Sequence, residues 1–299
     1  MAGPFGAVVE GIDVQTLTPV DVAELGAALS EHHVLLLRDQ HLSSEAFVGF
    51  GRSWGELRIY GDARKRDTTF PELTVLHNRE STPSELRDSA QNWHSDASYD
   101  PVPIRVTMMS VVEAPDEGGE TLFCSTVDAW RALPPELKLR ATGRTALHRP
   151  KGDERLLLAG ELRGDLGHEQ APARHPLVIV HPVTGEPVLY AVSGSPYHVE
   201  GMSQEDAITL LLELKRHCAQ DQFIQSVKGA VGDVVLWDNF AVMHSATPTR
   251  YSDADGERRV IHRLTVLAEG PPAPWVDPAR VSALITNHRP GFQPATASE

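Results

Sequence analysis

The chain has 299 residues, enough for one or two domains, and its hydrophobic content of 41% and charged content of 23% are ordinary for a soluble globular protein. Its formal net charge of -14 argues against nucleic acid as a partner, because neutralising phosphates requires clustered lysine and arginine. The only cysteines are Cys124 and Cys218, so a disulfide framework is excluded and a reducing compartment is favoured.

Residues 1–13 contain neither the basic nor the apolar region of a signal peptide. No apolar run approaches the roughly 18 to 20 residues that are needed to cross a membrane. We therefore expect a cytoplasmic protein without a membrane partner.

The first third of the chain mixes helices and strands. Apolar residues at helical spacing predict a helix over 19–31, and the apolar run 34–37 predicts a buried strand. A serine at position 43 or 44 predicts the start of a second helix that ends near Trp54. Residues 73–76 predict another short strand.

From residue 104 onward the pattern is typical of β-structure. The predicted strands are 104–110, 121–123, 177–180, 188–192, 233–237 and 260–267, and the third and fourth of them form a hairpin. Ser203 with Asp206 predicts the start of a helix that reaches about Cys218. Many short strands separated by turns favour a mainly-β single domain over residues 1–299, built as a sandwich or a barrel with peripheral helices.

Residues 144–174 fit this scheme poorly, because the stretch is charged and rich in glycine. A connection of this length without regular structure is usually functional or disordered. We expect a mobile lid or insertion at 144–174, with helical character over 154–162. A disordered surface insertion is the alternative.

His94 and Asp96 are separated by one residue in the segment Trp93-His94-Ser95-Asp96. In a strand or an extended loop, side chains two residues apart point to the same side, so this segment could supply two adjacent metal ligands. His244 offers a third ligand after an apolar strand and the turn-forming pair 238–239. Two histidines and one carboxylate on one face of Fe(II) leave three positions open for oxygen activation, so we predict an oxygenase.

The chain has 14 histidines, so some of them are expected to resemble metal ligands by chance. Those without a partner pattern, which we expect at the surface, are His32, His33, His41, His77 and His288. A second group likewise lacks the sequence spacing of metal ligands and consists of His148, His168, His175, His181, His198 and His217. His262 is the nearest competitor, but strand alternation places it on the face opposite Arg259 and Arg263, and we leave it out of the metal site.

Arg259 and Arg263 lie on or beside the apolar strand 260–267. Burying an arginine there is costly without an anion, and a guanidinium binds a carboxylate through two hydrogen bonds. We therefore interpret these arginines as the binding site of a small dicarboxylate cosubstrate. An ion pair with a protein carboxylate is the alternative for either arginine.

Several motifs in order resemble the taurine and 2,4-dichlorophenoxyacetate dioxygenase family, which uses Fe(II) and 2-oxoglutarate. They cover most of the chain and are Gly6 to Asp13, Leu37 to Gln40, Gly55 to Leu57, Trp93 to Asp96, Gly118 to Leu122, His181 to Gly185, Trp237 to Asn239 and the final arginines. The resemblance implies a double-stranded β-helix, a cupin-like jelly roll surrounded by helices.

The resemblance also implies roles. His94, Asp96 and His244 would be the catalytic iron ligands, and Thr121 and Arg259 would hold the distal carboxylate of 2-oxoglutarate. Arg263 would meet an anionic group of the prime substrate or assist the cosubstrate. The implied reaction uses O2, releases succinate and CO2, and oxidises an unactivated C–H bond, with hydroxylation as the default and desaturation or epoxidation as alternatives. Relatives are often dimers or tetramers.

The taurine pocket is not retained. Where taurine-type members carry a histidine and a tyrosine, this chain has Tyr60 and Ala63, and at two further pocket positions it has Ala90 and Ser195. We therefore expect a small anionic substrate other than taurine, with secondary metabolism as the accompanying hypothesis. The candidate substrate contacts are Arg263, Tyr60, Asn92, Tyr99 and Ser195. The basic residues Arg58, Arg64, Lys65 and Arg66 favour an anion if they face the site, and a solvated basic loop is the alternative.

Two other classes of protein are weighed against this interpretation. A zinc hydrolase could use the same three ligands, but it would leave Thr121 and Arg259 unexplained. A non-catalytic β-barrel binding protein would not turn over 2-oxoglutarate.

Overall fold

The structure is a computed structural model that describes residues 3–83, 90–150, 152–162 and 171–276. Within these ranges the helices are α1 (Pro19–His32), α2 (Ser44–Ser53), α3 (Thr126–Ala132), α4 (Pro135–Ala141) and α5 (Gln204–Cys218). The strands are β1 (Ala7–Val9), β2 (Val34–Leu37), β3 (Thr74–His77), β4 (Ile104–Glu113), β5 (Thr121–Ser125), β6 (Thr145–His148), β7 (Ala173–Pro176), β8 (Val178–Val180), β9 (Pro187–Leu189), β10 (Pro196–Val199), β11 (Ile224–Val227), β12 (Val234–Asp238), β13 (Val242–Ala246) and β14 (Val260–Leu267).

Six strands form the larger sheet, in the order β1-β2-β12-β4-β14-β3, and every pair in it is antiparallel except β1 with β2. Side chains along a strand alternate between its two faces, and both faces of this sheet are buried. Leu35 and Leu37 pack with the residues of α1 and α2, whereas Val34 and Leu36 pack with the second sheet. The all-apolar run of β2 is therefore the consequence of a strand that is covered on both sides.

The second sheet has the order β11-β5-β13 and faces the larger sheet. Phe123 of β5 and Val242 of β13 enter the same core cluster as Val235 and Ile261 of the larger sheet. Two facing sheets with helices outside them confirm the predicted jelly roll.

The remaining elements pack against the outer side of the second sheet. The predicted hairpin is present as β8 and β9, and α3 and α5 bury Trp130 and Leu211 in one cluster with Leu189 of that hairpin. The strands β6, β7 and β10 form a further three-stranded sheet. Among the described residues, no helix is long and apolar enough to cross a membrane.

The helix starts follow from capping residues. The Thr18 side chain accepts from the backbone of Asp21, whose carboxylate accepts from the Thr18 amide, and this capping box begins α1. Ser43 and Ser203 cap α2 and α5 through the same kind of side-chain bond. The two serine-started helices were therefore predicted within a residue or two of their bounds.

Two expectations require correction. The stretch 144–174 is not a lid throughout, since its ends are the strands β6 and β7, and among its described residues the helical part is limited to the 3-10 turn Glu154–Leu156. Residues 151 and 163–170 of that stretch lie outside the described residues, as do His168 and His288. His33 is not a surface residue, because it turns the chain from α1 into β2 and is 7% exposed.

Candidate metal centre and adjoining pocket

His94 and His244 are brought together by an antiparallel bridge between two separate segments. The His94 amide donates to the His244 carbonyl at 3.0 Å, and the His244 amide donates back at 2.8 Å. The two rings lie 4.2 Å apart between centroids. His244 belongs to β13, and its ring also packs 4.7 Å from that of Trp237 on β12. The jelly-roll core therefore positions one histidine, and the bridge positions the other against it.

Asp96 completes the cluster. One ligand atom from each of His94, Asp96 and His244 lies within 4.8 Å of the others. The Nε2 atoms of His94 and His244 lie 4.0 Å and 3.8 Å from the two Asp96 oxygens. The structure thus assembles the three predicted metal ligands, and their donor set fits a non-heme Fe(II) centre with open positions.

The protonation states of these groups suit metal binding. The Nδ1 of His94 lies 2.7 Å from the Asn92 carbonyl, which assigns the proton to Nδ1 and leaves the lone pair of Nε2 free. Burial, together with His94, lowers the pKa of His244 to about 3 and keeps its imidazole neutral. Burial would raise the pKa of Asp96, but Arg263 and the two imidazoles hold that pKa below its usual range.

A cavity of about 120 Å³ opens beside the cluster. The predicted substrate contacts all line it: Arg263, Tyr60, Asn92, Tyr99 and Ser195. His94 and Asp96 line the same cavity. The structure therefore brings these candidate residues together around one cavity.

Three cationic side chains line this cavity, and they differ in their partners. Arg58 pairs with Asp100 at 2.7 Å, and Arg263 approaches the Asp96 carboxylate at 3.4 Å. Lys65 has no carboxylate partner among the described residues, and burial together with Arg263 lowers its pKa.

The other two members of the basic run point elsewhere. Arg64 pairs with Asp62 at 2.8 Å, and Arg66 donates to backbone carbonyls of residues 60 and 61. Of the four basic residues singled out in the sequence, Arg58 and Lys65 therefore line the cavity beside His94 and Asp96, whereas Arg64 and Arg66 do not.

Thr121 and Arg259 line a different, smaller cavity of about 20 Å³. Arg259 also lines a third cavity of about 200 Å³, which shares Lys65, Leu76 and Ala90 with the cavity beside the metal cluster. Among the residues that the structure describes, no carboxylate pairs with Arg259, and burial lowers its pKa. This unpaired guanidinium fits a bound carboxylate better than the alternative of an ion pair within the protein.

One wall of the pocket is formed by closely packed backbone. Gly194 lines the cavity with φ +90, and a Cβ added there would lie 2.5 Å from the Cβ of His94. Behind it, a Cβ added to Gly152 would lie 2.2 Å from the Gly194 carbonyl oxygen. Distances this short cannot be accommodated without moving backbone.

The segment 152–162 is held beside the three candidate metal ligands by the carboxylate of Glu161. Glu161 accepts from the amide of Trp93, the residue before His94, at 2.9 Å. Its other oxygen is paired with Lys215 of α5, whose side chain is 1% exposed. This link was missed from sequence, because 54 residues separate the lysine from the glutamate and neither belongs to a motif.

Comparisons with known proteins give a single family. Residues 1–265 match the family described as "Taurine catabolism dioxygenase TauD, TfdA family". The chain is 32% identical over 282 residues to the alpha-ketoglutarate-dependent 2,4-dichlorophenoxyacetate dioxygenase of Cupriavidus pinatubonensis, covering 88% of this chain and 94% of that protein.

Solved structures are similar over almost the whole length. A taurine dioxygenase from Burkholderia xenovorans matches with a TM-score of 0.73 and 26% identity, covering 94% of this chain and 98% of that one. The protein AAD-2, solved with Mn(II) and N-oxalylglycine, matches with a TM-score of 0.72 and 25% identity, covering 89% and 95% of the two chains.

Proposed function

Since this chain belongs to the TauD, TfdA family of dioxygenases, we propose specific roles for its site residues and a class for its substrate. As a family member it is an oxidoreductase that depends on Fe(II) and 2-oxoglutarate, uses O2 and acts on a small molecule. The predicted family, reaction class and cosubstrates are thereby confirmed, and the zinc hydrolase and the non-catalytic binding protein are set aside.

In this proposal His94, Asp96 and His244 hold the iron. The observation that carries the proposal is their clustering within 4.8 Å at the edge of a cavity lined by the predicted substrate residues. Thr121 and Arg259 bind the distal carboxylate of 2-oxoglutarate, because Arg259 is a largely buried cation that lacks a protein carboxylate among the described residues. Bound Fe(II), 2-oxoglutarate and O2 supply the oxidation, with release of succinate and CO2.

The residues of the chain position and shield the reacting groups. The Asn92 carbonyl keeps the His94 proton on Nδ1, and the core around His244 excludes water from one side of the centre. Tyr60 and Tyr99 enclose the cavity, and burial raises the pKa of Tyr99 to about 12, so its hydroxyl stays neutral. The protein therefore orients the target carbon and excludes competing reactions, while the metal and its cosubstrate supply the chemistry.

The proposed substrate is a small anionic organic molecule other than taurine. Lys65 and Arg263 line the cavity with positive charge that the protein neutralises only in part. The name of one relative includes 2,4-dichlorophenoxyacetate, which is an aryloxy carboxylate and therefore carries a negative charge, as the proposed substrate does. Hydroxylation is the expected outcome, desaturation or epoxidation are alternatives on the same ligands, and a role in secondary metabolism accompanies the proposal.

The first experiment adds Fe(II) and 2-oxoglutarate to the apoprotein without oxygen. We expect the weak visible charge-transfer band of an iron–2-oxoglutarate complex in the native protein and its loss in His94→Ala and His244→Ala. Iron that binds without producing the band would contradict the proposed site. As a substrate probe, 2,4-dichlorophenoxyacetate should shift the band and its uncharged amide should not. An equal shift by both would contradict the anionic class.

Compartment and assembly are part of the proposal as well. A cytoplasmic location accords with two buried, unpaired cysteines, Cys124 and Cys218. We expect a dimer or a tetramer, and the molar mass measured by light scattering after gel filtration tests this.

A further inference from the structure

The Asp96 carboxylate receives a hydrogen bond that sequence motifs do not indicate. Thr107, on β4 of the larger sheet, donates from Oγ1 to the Asp96 Oδ2 at 2.7 Å. The Thr107 side chain is buried at 0% exposure, so water does not compete for this carboxylate oxygen. The other oxygen, Oδ1, faces Arg263 at 3.4 Å.

A second residue fixes the direction of the Thr107 hydroxyl. The Oδ1 of Asn239 accepts from the Asp96 amide at 3.1 Å and from the Trp237 indole N–H at 3.2 Å. Both of those groups are donors only, so the carbonyl end of the Asn239 amide is assigned. Its NH2 end then donates to the Thr107 Oγ1 at 2.9 Å.

The chain of donors therefore runs one way. A hydroxyl has a single proton, and since Asn239 already donates to Thr107, the Thr107 proton is directed to Asp96. The same Asn239 carbonyl oxygen anchors the backbone of Asp96 through its amide. Both the main chain and the carboxylate of this residue are thus held by one network, which is rooted in β4 and in the turn that follows β12.

We propose that Thr107 and Asn239 are positioning residues that set the orientation of the Asp96 carboxylate for metal binding. The inference rests on the proposed function, because it assigns a task to residues behind a proposed metal ligand. Partners of this kind restrict rotation of the carboxylate before the metal arrives, and losing one typically costs 10- to 100-fold in metal affinity.

The test is Co(II) binding to the apoprotein, followed by quenching of tryptophan fluorescence and by the visible spectrum of bound cobalt. Thr107→Val keeps the shape and removes the proton, and we expect Co(II) to bind on the order of 10- to 100-fold more weakly with an altered spectrum. Thr107→Ser retains the hydroxyl and should restore most of the affinity.

Thr126→Val is the matched control. Thr126 is a buried threonine whose hydroxyl lacks a partner among the described residues, so the same substitution should leave Co(II) affinity unchanged. Circular dichroism and thermal unfolding of each apoprotein establish that it is folded.

Asn239→Asp provides a second arm in case Thr107→Val does not fold. The aspartate is close to isosteric, but its second oxygen would accept the Thr107 proton and turn that hydroxyl away from Asp96. We expect weaker Co(II) binding although Thr107 is retained, and little further loss when both substitutions are combined.

The outcomes separate the two proposals. Native affinity and an unchanged cobalt spectrum in a folded Thr107→Val or Asn239→Asp protein would overturn the inference while leaving the metal site intact. Failure of the native protein to bind Co(II) at all would instead overturn the proposed function.

Discussion

At the scale of single residues, the two arginines near β14 have different surroundings although they lie on the same face of the chain. Arg263 reaches the Asp96 carboxylate, whereas Arg259 lines a separate small cavity with Thr121. A spacing of four residues along an extended chain separates them by roughly 13 Å, which is enough to serve two different anions.

Replacing Arg259 tests the cosubstrate assignment. Arg259→Ala removes the proposed bidentate partner of the distal carboxylate, and we expect 2-oxoglutarate to bind on the order of 100-fold more weakly, since charge-assisted pairs contribute about 1.5–3 kcal/mol or more. Metal affinity should change little. Calorimetric titration of the Mn(II)-loaded protein with 2-oxoglutarate measures the effect.

The adjacent arginine supplies a matched control. Arg258 forms a partly exposed ion pair with Glu113 at 2.7 Å, so Arg258→Ala should leave 2-oxoglutarate affinity unchanged. Equal affinities in the native and Arg259→Ala proteins would show that Arg259 has a purely structural role.

The candidate metal ligands could be identified from sequence, whereas the contacts that support them could not. The i, i+2 spacing of His94 and Asp96 and the position of His244 after a strand are local signals. Asn239 lies in the Trp237-Asp238-Asn239 motif, but its contacts with Thr107 and Asp96 span 132 and 143 residues of sequence. Thr107 is only 11 residues from Asp96, but a threonine on a buried strand looks like any other β-branched core residue.

At the scale of secondary structure, the segment 152–162 has a role that its composition conceals. Glycine and charge suggested a mobile lid, but Glu161 fastens the segment to α5 through Lys215 and to the amide of Trp93. Lys215 also donates to the Leu156 carbonyl at 2.6 Å. This part of the predicted lid is therefore anchored beside the proposed metal ligand His94.

Breaking the buried pair should destabilise the protein. Lys215→Met removes the cationic partner of the largely buried Glu161 carboxylate and leaves it only its backbone donors, and we expect a loss of about 3–5 kcal/mol in the free energy of unfolding of the apoprotein. Adding Glu161→Gln to Lys215→Met should recover part of that loss. Urea denaturation gives the values.

An exposed pair on the same segment is the control. Arg155 and Asp153 lie 2.7 Å apart with the arginine side chain 56% exposed, so Arg155→Met should destabilise the protein far less than Lys215→Met. Similar losses for Lys215→Met and Arg155→Met would mean that the buried pair contributes no more than a surface one.

Helices and strands could be predicted from sequence where the helix has a capping residue or the strand has a long apolar run. Helices α1, α2 and α5 have capping residues and helical apolar spacing, and β14 has eight residues. Helices α3 and α4 have only seven residues each, too few for the helical period to be distinct. The strands β6 and β7 were missed because they are short and border the charged stretch.

At the scale of the whole molecule, several histidines are neutral because they are buried. Burial lowers the pKa of His33, His148, His175 and His244. For His148 and His244 a neighbouring histidine is the second cause. Both ring nitrogens of His148 lack a hydrogen-bond partner among the described residues, so nothing there compensates for protonation.

Stability should therefore fall as the pH falls below about 6.5. In that range the unfolded chain takes up protons that the folded apoprotein does not, and each histidine that stays neutral costs about 2 kcal/mol by pH 5. Urea denaturation of the chelator-treated protein between pH 7 and pH 5 measures the slope.

One variant isolates a single contributor. His148→Leu removes a group with no hydrogen bond to lose, so it should reduce the pH dependence by about 2 kcal/mol at pH 5. A flat profile for the native protein would show that these histidines become protonated within the folded state.

The backbone wall formed by Gly194 and Gly152 makes the positions that line the pocket unequal in their freedom to diverge. Any side chain added at Gly194 would collide with His94, so a natural or engineered substitution at this glycine would also displace a proposed metal ligand. Arg58, Tyr60 and Lys65 also line the cavity, but they do so with long side chains rather than with backbone. The pocket can therefore diverge at its lining side chains but not at Gly194, and a library that keeps this glycine and varies Tyr60, Lys65, Ala90 and Ser195 explores new specificities without disturbing His94.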